Sequence, residues 1–201
     1  LIAADDVLAN EVSTFYFDML YYTDNGWEIK NQFFYESYEN LNENAYGFSQ
    51  FHDAYVVEDK IVFGTEYESD TLLAQFQFSP SVRYTDFESG DDFINEFFDR
   101  RDLTGESTAL DRRLLATRAG WGYSNYDVGN YLNLGMAAMT DLTWESGLNL
   151  VLGVRYDSVD VESTTPGGST LFGGDADVSA EDTEDGFSWN ASISFKTEIG
   201  L

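Results

Sequence analysis

Arginine is concentrated in one segment of the chain, which supplies five of the ten basic residues in the whole sequence. The cluster consists of Arg100, Arg101, Arg112, Arg113 and Arg118. Guanidinium groups bind carboxylate and phosphate oxygens through paired hydrogen bonds. We therefore predict that the first four of these arginines bind an anionic ligand. Two other interpretations stay open: ion pairs with acidic neighbours within 99–111, and contact with lipopolysaccharide phosphates.

Aromatic side chains between predicted strands form a second group of candidate ligand contacts. Tyr46 and Phe48 lie in one such connection, and flat rings of this kind stack on sugars or on aromatic groups of a ligand. We predict that Tyr46 and Phe48 contact the ligand. The same rings, together with those of Phe51, Tyr123 and Tyr126, are equally suited to packing one connection against another.

The remaining polar motifs fit a hydrated surface better than a catalytic or metal site. His52 is the single histidine and cysteine is absent, so we interpret His52 as a surface residue. The acidic, glycine-rich segment 173–185 does not have the spacing of a helix-flanked calcium loop, and we predict a solvated loop there. Glu58 and Glu66 suggest glycosidase chemistry, but polarity along one strand face also explains them. Because no nucleophile–base pair, phosphate loop or dinucleotide motif is present, we predict no catalysis, no cofactor and no metal.

The overall charge excludes several classes of protein. Asp and Glu number 37 against 10 Lys and Arg, which gives a formal net charge of −27. Such a chain is a poor nucleic-acid binder, because binding to phosphates needs clustered cations. The 16% aromatic content argues against a disordered acidic tail. The sequence has no apolar run of about 20 residues and no visible signal peptide, so we expect a chain that is cytosolic, already processed or cut from a longer one.

Alternation of apolar and polar residues predicts β-strands along most of the chain. Between Trp27 and Tyr38, odd positions such as Ile29 and Phe33 are apolar, whereas even positions such as Glu28 are charged. Segments of this kind predict seven strands, at about 11–23, 27–39, 55–67, 71–87, 129–143, 147–162 and 186–199. We therefore predict an all-β, antiparallel up-and-down meander, with residues 1–201 as one partial β-barrel domain.

The predicted connections alternate between short and long. Three are tight turns, and the first contains Asn25-Gly26, which suits a hairpin. The long connections are 40–54, 88–128 and 163–185. Transmembrane β-barrels have this layout, with short periplasmic turns and long external loops. The predicted strands are also longer than the five or six residues typical of soluble sheets.

Two architectures explain strands with one apolar and one polar face. In a soluble sandwich the apolar face is buried between two sheets, whereas in a membrane barrel it contacts lipid. Strand length, aromatic residues near strand ends and unequal connections favour the barrel. Seven strands are too few for a single-chain bacterial barrel, which has eight or more. We expect either part of a larger barrel or an eighth strand within 110–122.

The sequence resembles the barrel portion of a TonB-dependent outer-membrane receptor. The resemblance is strongest in Gly147-Leu148-Asn149-Leu150-Val151-Leu152-Gly153-Val154-Arg155-Tyr156-Asp157, which is similar to a recurrent hairpin of that family. The strand that starts at Phe187 and the segments 44–50 and 99–105 are similar to other parts of such receptors. The resemblance covers most of residues 11–199, without the family's plug, TonB box or closing strand.

This resemblance implies location in the bacterial outer membrane and uptake of a scarce small molecule. The expected ligand is a ferric siderophore or, less commonly, cobalamin or a saccharide. The expected partners are outer-membrane lipid and TonB, which would act through a plug absent from this chain. The alternatives are a small structural or adhesive outer-membrane barrel and a soluble carbohydrate-binding β-sandwich.

Overall fold

A computed structural model describes residues 7–44, 48–92, 124–170 and 173–196. These residues form one antiparallel sheet in which each strand pairs with the next along the chain, as the sequence predicts. The strands are β1 (Val7–Tyr22), β2 (Trp27–Asn44), β3 (Phe48–Glu68), β4 (Leu72–Asp92), β5 (Asn125–Trp144), β6 (Leu148–Thr165) and β7 (Val178–Phe195). Within the described residues β1 and β7 each pair on one side only, so the sheet is open.

The strands extend further from the tight turns than the sequence predicts. Segment 40–54, predicted as a long external loop, is mostly strand: Asn40 of β2 is in register with His52 of β3. Within 163–185, β7 begins at Val178, so the second half of the predicted acidic loop is paired with β6. These parts are polar on both faces and give no apolar alternation. Their backbone ladder nevertheless continues, because hydrogen bonding between strands does not depend on side-chain polarity.

Tight turns join the strands at one end of the sheet, which we call the short-turn end. In the first turn the Trp27 amide donates to Thr23 Oγ1 at 2.8 Å, and the Thr23 amide donates to Trp27 O at 2.8 Å. Gly26 and Gly147 adopt positive φ angles of 81° and 88°. That conformation is accessible to glycine at little cost and strained for most other residues.

The described residues form a single layer with almost no buried apolar interior. The buried hydrophobic residues among them are Phe51 and Ala74, whereas Trp189 is 80% and Ile193 is 73% exposed. A two-sheet sandwich would bury such side chains between its sheets. The described part of the chain is therefore not the sandwich considered above. None of its residues belongs to a helix that could span a membrane.

One face of the sheet carries an apolar band, which is interrupted by Asn31 and Asp59, where the Asn31 side-chain amide donates to Asp59 Oδ1 at 2.5 Å. The register places Ile29, Phe63, Phe78, Ala138, Val154 and Trp189 in one row across six strands. On β2 the band runs from Trp27 to Tyr35, about nine residues, which is the length needed to cross a hydrocarbon core at a tilt. Tyr55 and Tyr84 stand near its upper limit with ring centroids 6.0 Å apart. Aromatic residues at such a limit are typical of membrane interfaces.

The band runs obliquely across the sheet. Tyr35, at its upper limit in β2, is in register with Thr183 of β7, but in β7 the band ends at Phe187, nearer the short turns. The offset is about 13 Å along the strand over about 24 Å of sheet width. A level membrane boundary would therefore require strands tilted by roughly 30°, close to the tilt of membrane barrels.

Candidate functional site

The face opposite the apolar band collects the basic residues of the described strands. Lys30, Lys60, Arg83 and Arg155 all project on this side, which we call the polar face. They fall within three consecutive rows of the register, at the height of the apolar band. A barrel with the apolar band against lipid has this polar face lining its lumen.

Arg155 and Asp157 form the tightest ion pair on the polar face. The Arg155 Nε and Nη2 atoms donate to the two carboxylate oxygens of Asp157 at 2.6 and 2.5 Å. Both side chains lie over Gly135, whose missing side chain leaves room for them. A Cβ atom there would lie 2.5 Å from Arg155 Nη2, 2.7 Å from Ser81 Oγ and 2.9 Å from Asp157 Oδ1.

The other three basic residues differ in how completely their charges are paired. Lys30 Nζ lies 2.9 Å from Asp18 Oδ2, a close ion pair. Arg83 Nε lies 3.8 Å from Glu58 Oε2, near the limit of an ion pair. Lys60 makes no ion pair with any residue that the structure describes. The polar face therefore holds one unpaired and one loosely paired cation side by side.

The strand segments beyond the apolar band have the opposite charge. We call them the upper wall, and they comprise residues 7–14, 36–44, 48–54, 85–92, 125–131, 157–165 and 178–186. The upper wall contains many Asp and Glu residues and no Lys or Arg. In a membrane barrel the end opposite the short turns faces the exterior. The register places some of these carboxylates, such as Glu36, Asp91 and Glu184, on the side that continues the polar face. Others, such as Glu39, Glu88 and Glu162, lie on the side that continues the apolar band.

Aromatic packing holds part of the upper wall together. Phe51 is only 1% exposed and packs against Leu41 and Tyr126. Its ring covers Gly90, where a Cβ atom would lie 2.6 Å from Phe51 Cε1. The Tyr126 hydroxyl donates to Glu88 Oε1 at 2.8 Å. Of the two interpretations of the loop aromatics, packing is therefore the one that applies to Phe51 and Tyr126.

The predicted ligand contacts lie beyond the described coordinates. Arg100, Arg101, Arg112, Arg113 and Tyr46 belong to segments that the structure does not describe. Phe48 begins β3, but its side chain is likewise outside the described part. The possible eighth strand within 110–122 also falls there. These assignments stay predictions from sequence.

The structure describes the other residues that the sequence analysis considered for catalysis or metal binding. His52, predicted in a loop, is an exposed residue of β3. Glu58 pairs with Arg83, and Glu66 accepts a hydrogen bond from Gln75 at 2.8 Å. Glu58 and Glu66 are separated by about 26 Å of extended strand, far beyond the spacing of a glycosidase pair. No group of three potential metal ligands occurs in the described ranges.

The paired and unpaired cations of the polar face were not among the predicted site residues. Lys60 and Arg83 are far apart in sequence and become neighbours only through the register of β3 and β4. The sequence does place both residues on the polar side of alternating strands. In a membrane barrel that side faces away from lipid, so their orientation could be predicted although their proximity could not.

Comparison with known proteins gives a family match and two similar folds. Residues 4–198 match the model of the family described as TonB dependent receptor-like, beta-barrel. The siderophore receptor PiuA from Acinetobacter baumannii is similar, with a TM-score of 0.70 and 13% identity over 96% of this chain and 31% of its own. The ferric yersiniabactin uptake receptor FyuA from Yersinia pestis has a TM-score of 0.59 and 11% identity, over 96% of this chain and 27% of its own. This chain thus spans less than a third of either receptor. No curated protein matches it.

Proposed function

Because this chain belongs to the family of TonB-dependent receptors, we propose that it forms part of the wall of an uptake channel for a scarce small molecule. The family places the chain in the bacterial outer membrane and identifies its sheet as a β-barrel wall. Family members are transport receptors, which agrees with a role in uptake rather than catalysis.

The observation that carries the proposal is the separation of the two faces of a single sheet. Side chains of the apolar band, such as Trp189 and Phe76, are exposed because no second layer covers them within the part of the chain that the structure describes. Lipid is the environment that makes this exposure favourable. The opposite face carries ion pairs such as Lys30–Asp18, which suit a hydrated lumen. The sheet is therefore suited to separate lipid from a solute path.

The proposed ligand is a ferric siderophore, with a saccharide as the second possibility. Two similar folds belong to proteins described as a siderophore receptor and a ferric yersiniabactin uptake receptor. On this proposal, Tyr46, Phe48 and the arginines of 100–113 contact the ligand at the external mouth. Transport would be energised by TonB through a plug domain outside residues 1–201.

Uptake by the complete protein tests this proposal. Cells that depend on it for iron would carry Arg100→Ala, Arg101→Ala, Arg112→Ala and Arg113→Ala together. We expect uptake of an anionic ferric siderophore to fall at least tenfold, because the guanidinium contacts are lost. Arg118→Ala, in the same segment, is the matched control and should leave uptake nearly unchanged.

Two outcomes would contradict different parts of the proposal. Normal uptake of every anionic ligand by the fourfold variant would remove the arginine segment from ligand binding. If cells with and without the intact protein take up iron and saccharides equally, the proposed transport function is wrong.

A further inference from the structure

We propose that the polar face contains an oxyanion-binding site formed by Lys60 and Arg83, separate from the arginines of the external segment. The bound group is a carboxylate or phosphate, supplied either by a small solute or by a carboxylate of another part of the same protein. The proposal goes beyond uptake, since binding at this site is measurable without transport.

Charge balance is the first argument. Of the four cations on the polar face, Lys30 and Arg155 already have acidic partners at 2.9 and 2.5 Å. Lys60 has no ion-pair partner in the described residues, and Glu58 lies 3.8 Å from Arg83. Lys60 is also partly buried. The Arg83 side chain is 45% exposed, so both cations are within reach of an incoming anion, which they would hold by charge-assisted hydrogen bonds.

The register supplies the geometry. Lys60 lies directly opposite Ser81, and Arg83 is the next residue of β4 on the same face. Side chains so related have Cβ atoms about 5 to 8 Å apart, a span that one carboxylate or phosphate can bridge. The ammonium supplies a point charge, whereas the guanidinium offers a planar fork for two oxygens.

Unpaired hydroxyl groups on the same strand are a second, independent observation. Ser79 and Thr85 flank this stretch of β4 on the polar face and are only 8% and 7% exposed. Neither hydroxyl has a hydrogen-bond partner in the described structure. Buried hydroxyl groups normally have one. Both hydroxyl oxygens are covered by other atoms, so on this proposal they gain acceptors when the side chains above them move aside for the oxyanion.

Titration calorimetry on the complete protein, purified in detergent, tests the site with citrate and inorganic phosphate as probes. We expect the wild type to bind at least one probe, and Lys60→Gln and Arg83→Gln to weaken binding tenfold or more. Lys60→Arg keeps the charge and should retain binding. Lys30→Gln is the matched control, because Lys30 lies on the same face but is already paired with Asp18. Folding of each variant is checked by its mobility on unheated gels.

Carbodiimide coupling followed by mass spectrometry distinguishes the two sources of the oxyanion. An isopeptide bond from Lys60 to a carboxylate other than Glu58 would identify a group of the same protein as the occupant. Probe binding without such a bond would identify a small solute. The proposal is overturned if Lys60→Gln binds the probes as the wild type does. It is equally overturned if no probe binds and Lys60 couples to Glu58 alone or to nothing.

Discussion

At the scale of single residues, Gly135 determines how the polar face accommodates its strongest ion pair. Three polar atoms, from Arg155, Ser81 and Asp157, converge on the space that a side chain at this position would occupy. The glycine thereby lets the guanidinium and carboxylate lie flat against the wall instead of projecting into the lumen. Glycine is not required at position 135 by the backbone conformation, because its φ angle is not positive.

Gly135→Ala is expected to destabilise the barrel. The new methyl group would lie within 3 Å of Arg155 Nη2 and Ser81 Oγ, so the ion pair must move. Because all three neighbours are ends of side chains that can move aside, the expected cost is at the low end of overpacking, about 1 kcal/mol or less. The measurement is the temperature at which folded protein converts to the unfolded gel mobility.

Gly186→Ala is the control for this prediction. Gly186 also lies in a strand, but a Cβ atom there has no neighbour within 4 Å. Its melting temperature should match or slightly exceed that of the wild type. Equal melting of Gly135→Ala and Gly186→Ala would show that the space over Gly135 has no structural importance.

Some contacts on the polar face can be predicted from the sequence, and others cannot. Arg155 and Asp157 are two positions apart in an alternating segment, so their presence on one face follows from sequence alone. Their neighbour Ser81 does not, because it depends on the pairing of β4 with β5 across a long connection. The same holds for the pairing of Lys60 with Ser81, which requires the exact register of a hairpin.

At the scale of elements, the turn before β6 is constrained from two directions. Gly147 has a φ of 88°, and its carbonyl accepts a hydrogen bond from the Lys196 amide at 2.8 Å. A Cβ atom at Gly147 would lie 2.6 Å from the Lys196 carbonyl oxygen. This turn therefore joins β5, β6 and the end of β7, and a side chain would separate them.

Gly147→Ala should consequently cost more stability than Gly26→Ala. Both positions have positive φ, so alanine adds about 1 kcal/mol of backbone strain at each. Only Gly147 has a close neighbour, whereas Gly26 has none within 4 Å. The displacement of β7 adds about 1–2 kcal/mol at Gly147. Urea unfolding in lipid vesicles measures both free energies, and equal values would contradict the constraint from Lys196.

The strands also show where apolar–polar alternation no longer predicts β structure. Between Trp27 and Tyr38 alternation predicts β2 correctly, because one face contacts lipid and the other water. Beyond that point residues such as Glu39 and Asn42 are polar on both faces, so the pattern resembles a loop. The strand continues because β2 and β3 remain paired up to Asn44 and Phe48. The start of β7 is likewise acidic on both faces, so the sequence predicts a loop where the structure has a strand.

At the scale of the whole molecule, the two faces predict opposite responses to the same substitution. Leu152 lies within the apolar band and is 40% exposed, whereas its neighbour Val151 lies on the polar face, in register with Asp141. An arginine on the lipid face near the middle of the bilayer costs about 2–4 kcal/mol. An arginine on the polar face remains hydrated and close to a carboxylate.

Leu152→Arg should therefore fold poorly into lipid vesicles, and Val151→Arg should fold almost as the wild type does. The fraction of protein that becomes resistant to added protease after refolding measures this difference. Equal folding of the two variants would contradict the assignment of the apolar band to lipid. The reverse order would place lipid on the other face.

The negative charge of the upper wall makes its effect on nearby solutes depend on the salt concentration of the medium. Electrostatic repulsion reaches about 8 Å at physiological ionic strength but about 30 Å at 0.01 M salt. In dilute surroundings the field of the wall carboxylates extends further from the sheet, so that negatively charged solutes near it are repelled and positively charged ones are enriched. At high salt concentration this effect is limited to solutes in near contact with the wall. Salt concentration would thus change the electrostatic effect of the wall without any movement of the protein.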